Sequence, residues 1–311
     1  MTKLTQLDCI WRNNRHNAFT DLIEFNGRFY CCFREATNHI SPDGIIRILV
    51  SDDLKRWQLI SSVRHISADL RDPKLIKHHS GKMLLSFYRK RFDKNGQNIA
   101  NENCISFSLT GYSWSSAKII GHNNWWMWRI RNDLGIAYNR KQNTVRLYQG
   151  DPLRAFHLVN DALFSLKNNA KGYPNESDVL KLPDGRTICI LRRDADSFSA
   201  QLGISNISNH NWKWYDLGLY LGGPCMLQLE NGRILVAARR FQRPRCLTTW
   251  LFELDINTKS IKPVLQLPSA GDNSYPAMLA HDNKLHVSYY SQHQENRYSY
   301  ASAIYLAEVT L

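Results

Sequence analysis

The chain has 311 residues, 43% of them hydrophobic and 11% aromatic, a globular composition that excludes a disordered polymer. Lysine and arginine outnumber the acids by 40 to 27, so the net charge of +13 favours anionic partners; without a long basic block or a nucleic-acid motif, nucleic acid is not the one expected. No apolar run nears the ~20 residues of a membrane span, and the opening MTKLTQLDCIWRNNRH lacks the apolar core of a signal peptide, so a soluble cytoplasmic protein without membrane contact is expected.

Taken in chain order, one pattern recurs: a strand, a tight turn, and an alternating strand. FTDLIEF runs through Asn26-Gly27 into RFYCCFR and ends at Arg34. DPKLIKH passes Ser80-Gly81 into GKMLLSFY and ends at Tyr88. NTVRLYQ, ending near Tyr148, is a weaker third member. SDVLKLP, Asp184-Gly185 and RTICILR end at Arg192; PCMLQLE, Asn231-Gly232 and RILVAAR end at Arg239. YPAMLAH, Asp282-Asn283 and NKLHVSYY end at Tyr290. Two strands around an N-G or D-G turn are the strongest short hairpin signal.

The hairpin ends lie 54, 60, 44, 47 and 51 residues apart, close to the ~40–50 residues of a four-stranded propeller blade. The pattern predicts an all-β, six-bladed β-propeller that fills residues 1–311 as a single domain. The last strand, about 303–311, is expected to close the ring against the N-terminal segment. The seven cysteines are odd in number and form no C-x-x-C pair, so they read as reduced thiols. No metal and no cofactor is expected, and the pattern does not fix the oligomeric state.

Residues equally far from a hairpin turn face each other. Glu176, eight residues before Asp184, therefore sits beside Arg192, eight residues after it. Arg34, Arg239 and Tyr275 lie at equivalent heights, so all five converge on one funnel mouth. A local reading pairs each arginine with a nearby acid, Arg34 with Glu35 or Asp43 and Arg192 with Glu176. Three guanidinium groups around one axis instead ask for an anion, and a carboxylate held bidentately suits their planar forks. Arg193 and Arg240 point the opposite way by strand alternation and read as structural.

These residues resemble the exo-sialidase superfamily, in a divergent bacterial-type branch. Phe33-Arg34 is similar to its Phe-Arg motif, NESDVLKLPDGRTICILRR to its glutamate and second arginine, and GDNSYPAM to its tyrosine segment. Ser51-Asp52-Asp53…Trp57, Ser108…Trp114 and Ser205…Trp212 echo its Asp boxes. Arg34 is followed by Glu-Ala where sialidases commonly have Ile-Pro, which leaves the exact sugar open. The resemblance implies a triad of Arg34, Arg192 and Arg239 that grips the sugar's carboxylate. It implies Tyr275 as nucleophile, because a carboxylate nucleophile would be repelled by a sugar acid. A phenol of pKa ~10 needs a base, and Glu176 would serve. Asp43, in HISPDGIIRIL, is the first choice of general acid and Asp72, in LRDPKL, the second, with His39 beside either. Trp128, in WWMWRI, would stack on the sugar if these aromatics line the funnel wall, core packing being the alternative. The expected activity is release of terminal sialic acid or a related nonulosonic acid from a sialylated or other acidic glycan. A non-catalytic propeller that binds acidic carbohydrate, a propeller glycosidase for a different acidic sugar, and a protein-binding propeller with a basic face are the alternatives.

Overall fold

The computed structural model describes residues 2–131, 133–242, 246–295 and 300–311. They form six antiparallel, four-stranded sheets that follow one another along the chain as the blades of a β-propeller. The inner strands of blades 1 to 6 are His16–Phe25, Ala68–Lys77, Trp126–Arg131, Pro174–Lys181, Gly222–Gln228 and Ser274–His281. Blade 6 takes its outermost strand from the other end of the chain: Lys3–Trp11 pairs with Ala303–Thr310, from Lys3 opposite Thr310 to Trp11 opposite Ile304. One helical turn, Leu166–Asn169, is capped by the Ser165 side chain. No helix among the described residues is long and apolar enough to cross a membrane.

Turn chemistry explains the hairpins. Asn26 and Gly27 both have positive φ, as do Asp282 and Asn283, the two-residue turn whose twist matches paired strands. In three other blades a longer, three-residue loop ends at a left-handed glycine: Gly81 donates to His78, Gly185 to Leu182 and Gly232 to Leu229. Blade 3 differs from expectation. NTVRLYQ belongs to its third strand, Thr144–Asp151, and the inner hairpin is Trp126–Arg131 with Leu134–Asn139. The turn between them has no N-G or D-G signal, which is why periodicity settled on the next strand. Tyr148 therefore lies one strand further out than Tyr88 or Tyr290.

The three degenerate turns share one geometry. The indole N–H of Trp57, Trp114 and Trp212 donates to the carbonyl three residues earlier, on Leu54, Gly111 and Asn209, at 3.1, 3.1 and 2.9 Å. Each of those residues has positive φ. The loop survives without a fixed aspartate because the indole bond and one left-handed residue define it.

Apolar faces of neighbouring blades form the core, and charged groups occupy the axis. Arg129 bonds Asp21 at 3.1 Å, and Arg131 grips Asp178 with two bonds of 2.7 Å. Lys74 donates to the carbonyls of Thr20 and Pro73. Off the axis, fully buried Arg34 donates to Asp69 at 2.7 Å beneath the backbone of Gly44. A Cβ on Gly44 would lie 1.9 Å from Asp69 Oδ1 and 2.5 Å from Arg34 Nε. Gly44→Ala is therefore expected to cost roughly 1–3 kcal/mol, read as a lower urea midpoint with unchanged slope.

Candidate active site

Every inner strand carries a β-bulge at the equivalent height. The pairing steps over Phe19-Thr20, Asp72-Pro73, Trp128, Asn175-Glu176, Gly223-Pro224 and Tyr275-Pro276. An extra residue bends the strand and re-aims its side chain. Phe19, Asp72, Gly223 and Tyr275 have φ of 63°, 49°, 57° and 49°. For a non-glycine residue that backbone costs about 1–3 kcal/mol and clusters at functional sites. Proline follows Asp72, Gly223 and Tyr275; it gives no ladder hydrogen bond, so a bulge accepts it. Each blade thus contributes one bulge residue to the funnel.

Tyr275 is the hub. Its ring centroid lies 5.1 Å from that of Phe19 and 5.4 Å from that of Trp128. Its hydroxyl donates to Glu176 Oε1 at 2.7 Å. Glu176 Oε2 accepts from the Gly223 N–H at 2.8 Å and from Arg192 Nη1 at 2.5 Å. A Cβ at Gly223 would come within 3.0 Å of the Tyr275 ring, so glycine supplies both the left-handed turn and the clearance.

Burial, reinforced by the Glu176 charge, raises the Tyr275 pKa against the opposing pull of Arg192 and Arg239. Burial also works against a charged Glu176, but Arg192, the bond from Tyr275 and Arg239 hold its pKa below the ordinary value. The pair is therefore a protonated phenol pointing at an ionised carboxylate, the arrangement an activated oxygen nucleophile needs. Asp72, on blade 2, is 4% exposed and its Oδ1 has no hydrogen-bond partner. Burial raises its pKa, and Glu176 adds to the rise while Arg71 and Lys74 oppose it.

The remaining expected residues divide between funnel and scaffold. Arg239 stands 5.4 Å over the Tyr275 ring; its Nη1 donates to the Asn273 carbonyl at 3.4 Å, and its Nε has no partner. Arg192 reaches Tyr275 at 3.2 Å, but its Nε and Nη2 are held by Asp194, each at 2.9 Å. Arg34 does not join them. Asp69 and the carbonyls of Asn38 and Ser41 take up its donors away from the funnel. Asp43 also lies outside, with a side chain 39% exposed that bonds Arg15 and Thr37. Although partial burial opposes it, bonds from Ser41, Thr37 and Arg15 keep the Asp43 pKa low. Trp128 lies buried under Tyr275. His39 is at the rim, donating through Nδ1 to Asp272 at 2.6 Å, its ring 5.4 Å from Phe19.

Sequence reasoning passed over Arg71, Asp194 and the cluster of His16, Asp272 and Tyr290. Asp272 bonds His16 at 2.8 Å and Tyr290 at 2.7 Å as well as His39. The ligand atoms of His16, His39 and Asp272 lie within 4.8 Å of one another, near enough to share a cation, though here they satisfy each other. Their signal, GDNSY and LRDP, lies next to residues that were singled out.

No family model and no curated protein matches the chain. Among solved structures it is similar to a Dyadobacter fermentans protein of unknown function, with TM-score 0.80 and 18% identity over 100% of this chain and 99% of that one. An intramolecular trans-sialidase from Ruminococcus gnavus, in complex with oseltamivir carboxylate, aligns with TM-score 0.69 and 11% identity over 97% of both chains. An α-L-arabinofuranosidase of Fusarium graminearum, in complex with arabinobiose, aligns with TM-score 0.68 and 14% identity over 97% of both. At these identities the likeness establishes the six-bladed propeller fold, which sialidases and arabinofuranosidases share.

Proposed function

We propose that the chain is an exo-glycoside hydrolase in which Tyr275 is the nucleophile, Glu176 its base and Asp72 the general acid. One observation carries this reading: the 2.7 Å bond from the Tyr275 hydroxyl to Glu176. The phenolic oxygen attacks the anomeric carbon as its proton passes to Glu176. The bond to the leaving-group oxygen breaks, and Asp72 donates its proton to that oxygen. Water then attacks the anomeric carbon and gives a proton to Asp72; the bond to Tyr275 breaks, and Glu176 returns the phenol's proton. Asp72 takes the acid's role rather than Asp43 because a carboxyl with a raised pKa holds a proton to give, and Asp43 is ion-paired outside the funnel.

The expected substrate is a terminal sialic acid or a related acidic sugar. A tyrosine nucleophile avoids repulsion by a carboxylate on the anomeric carbon, and Arg239 keeps an unpartnered nitrogen beside Tyr275. A second reading, a sugar without that carboxylate, draws on the saturation of Arg34 by Asp69 and of Arg192 by Glu176 and Asp194. Hydrolysis of fluorogenic α-sialoside, β-glucuronide and α-L-arabinofuranoside from pH 4 to 8 separates the two. Turnover of the sialoside, with KM raised ~10-fold or more by Arg239→Met, supports the first. Turnover of the arabinofuranoside alone, indifferent to Arg239→Met, supports the second, and no turnover of any of the three overturns both.

A further inference from the structure

A cavity of about 850 Å³ opens beside the funnel over blades 2 and 3. Its wall carries four cations, Arg71, Lys90, Arg140 and Lys141, and one acid, Asp69. Asp69 is already taken, by Arg34 at 2.7 Å and by Arg71 at 3.1 Å. Lys90 and Arg71 converge on one ring: the Lys90 ammonium lies 5.1 Å and the Arg71 guanidinium 5.8 Å from the Trp126 centroid. Tyr88 stacks on that ring at 4.1 Å and holds it in place.

The wall is short of negative charge. Arg71 is 6% exposed, and its Nε and the Trp126 indole Nε1 are buried donors without a hydrogen-bond partner. Among the described residues Lys90 and Arg140 stand over aromatic rings, Trp126 and Tyr173, and not against carboxylates. Burial, with Arg71 and Arg140 adding to it, lowers the Lys90 pKa, although Asp69 and Asp72 pull the other way. Desolvated cations are costly unless paired, so this surface is suited to an incoming anion. Arg71 on this wall also interacts electrostatically with Asp72, so the cavity adjoins the carboxyl assigned as the acid.

We propose that this cavity is a second anion subsite, which takes a carboxylate or sulfate borne by the leaving-group sugar. The substrate is then a glycan with two neighbouring acidic residues, not a single acidic cap on a neutral chain. The placement on the leaving-group side rests on Asp72 acting as the acid; the anion subsite itself does not.

Binding to the Tyr275→Phe variant, followed by tryptophan fluorescence or calorimetry, tests it without turnover. The probes are methyl α-sialoside with one carboxylate, an α2,8-linked disialoside with two, and a trisulfated heparin disaccharide. The disialoside is expected to bind ~10-fold or more tighter than the monomer. Adding Lys90→Gln and Arg140→Gln should bring that ratio to about one, whereas Lys213→Gln, the same kind of charge loss on an exposed outer strand of blade 4, should leave it alone. Preference for the heparin disaccharide over the disialoside, lost in the same double variant, assigns the subsite to sulfate. A ratio near one in the parent overturns the proposal if the double variant also leaves heparin-disaccharide binding unchanged. If neither sialoside binds, the sialic acid reading has failed, and the heparin disaccharide decides: affinity lost in the double variant sustains the subsite, and affinity unchanged or absent overturns it.

Discussion

Tyr275→Phe is expected to lower kcat by about a thousandfold or more on any substrate the enzyme turns over, with the fold retained. The phenyl ring keeps its contacts with Phe19 and Trp128, and Glu176 keeps the bonds from Gly223 and Arg192. The hydroxyl's two hydrogen bonds, to Glu176 and from Arg192, are lost at a cost of about 1–3 kcal/mol, so the melting temperature should fall by several degrees. Glu176→Gln offers the matching test of the base. The amide can still accept from the phenol but cannot take its proton, and kcat should fall by roughly 10²–10⁴. Arg192 retains Asp194, so calorimetry separates loss of catalysis from loss of the fold. The pH profile carries the same logic. Glu176 has a lowered pKa, so the base is lost only when pH falls below the ordinary glutamate value. Tyr275 has a raised pKa, so the phenol stays protonated across the neutral range and does not set the alkaline limit. Undiminished kcat in Tyr275→Phe would remove tyrosine from the chemistry and leave the funnel as a binding site.

Five of the six inner hairpins were legible in the sequence because glycine or asparagine marks their turns and strand alternation follows. Blade 3 was not, since its turn carries no N-G or D-G pair and two tryptophans, Trp126 and Trp128, crowd its inner strand. The facing of Glu176 and Arg192 was legible because it follows from equal distance to Asp184. The fate of Arg34 was not. Pattern places it level with Arg192, but Arg34 pairs with Ala18 just before the bulge, as Arg193 pairs with Pro174, whereas Arg192 lies across from the bulge itself; and Asp69, on the neighbouring blade, draws the Arg34 guanidinium beneath Gly44. That pairing spans 35 residues, and no local rule reaches it. The bulges themselves left a trace that hairpin symmetry ignored. Asp72-Pro73, Gly223-Pro224 and Tyr275-Pro276 each set a proline inside the innermost strand of a blade, and proline within a strand marks a sheet edge or a bulge. Reading those three prolines together would have aligned Asp72 with Tyr275 and favoured it over Asp43, whose D-G pair clears space for Arg34 and Asp69.

Asp72→Asn should lose activity and gain stability at once. An amide donates no proton to the leaving oxygen, so kcat on a natural glycoside is expected to fall by about 10²–10⁴. An aryl glycoside with an acidic phenol needs little protonation, so its turnover should be largely spared. In the wild type, activity on the natural substrate should decline as pH rises through the raised Asp72 pKa, and that alkaline limb should vanish in the variant. Stability moves the other way. A carboxyl whose pKa is raised on folding binds its proton more tightly in the native state. Its contribution is therefore present in full below the unfolded value and is lost as pH rises through the folded one. Asparagine is neutral at every pH and escapes that loss, so the variant should melt at a higher temperature than wild type at neutral and alkaline pH, with the difference closing in acid. Scanning calorimetry between pH 4 and 8, beside turnover on both substrate types, reads the two effects together. A variant that loses activity equally on both substrates and melts lower would make Asp72 a structural carboxyl. A variant that is selectively impaired and more stable marks a bulge held at φ 49°, with its carboxyl desolvated, at a cost to the fold that catalysis requires.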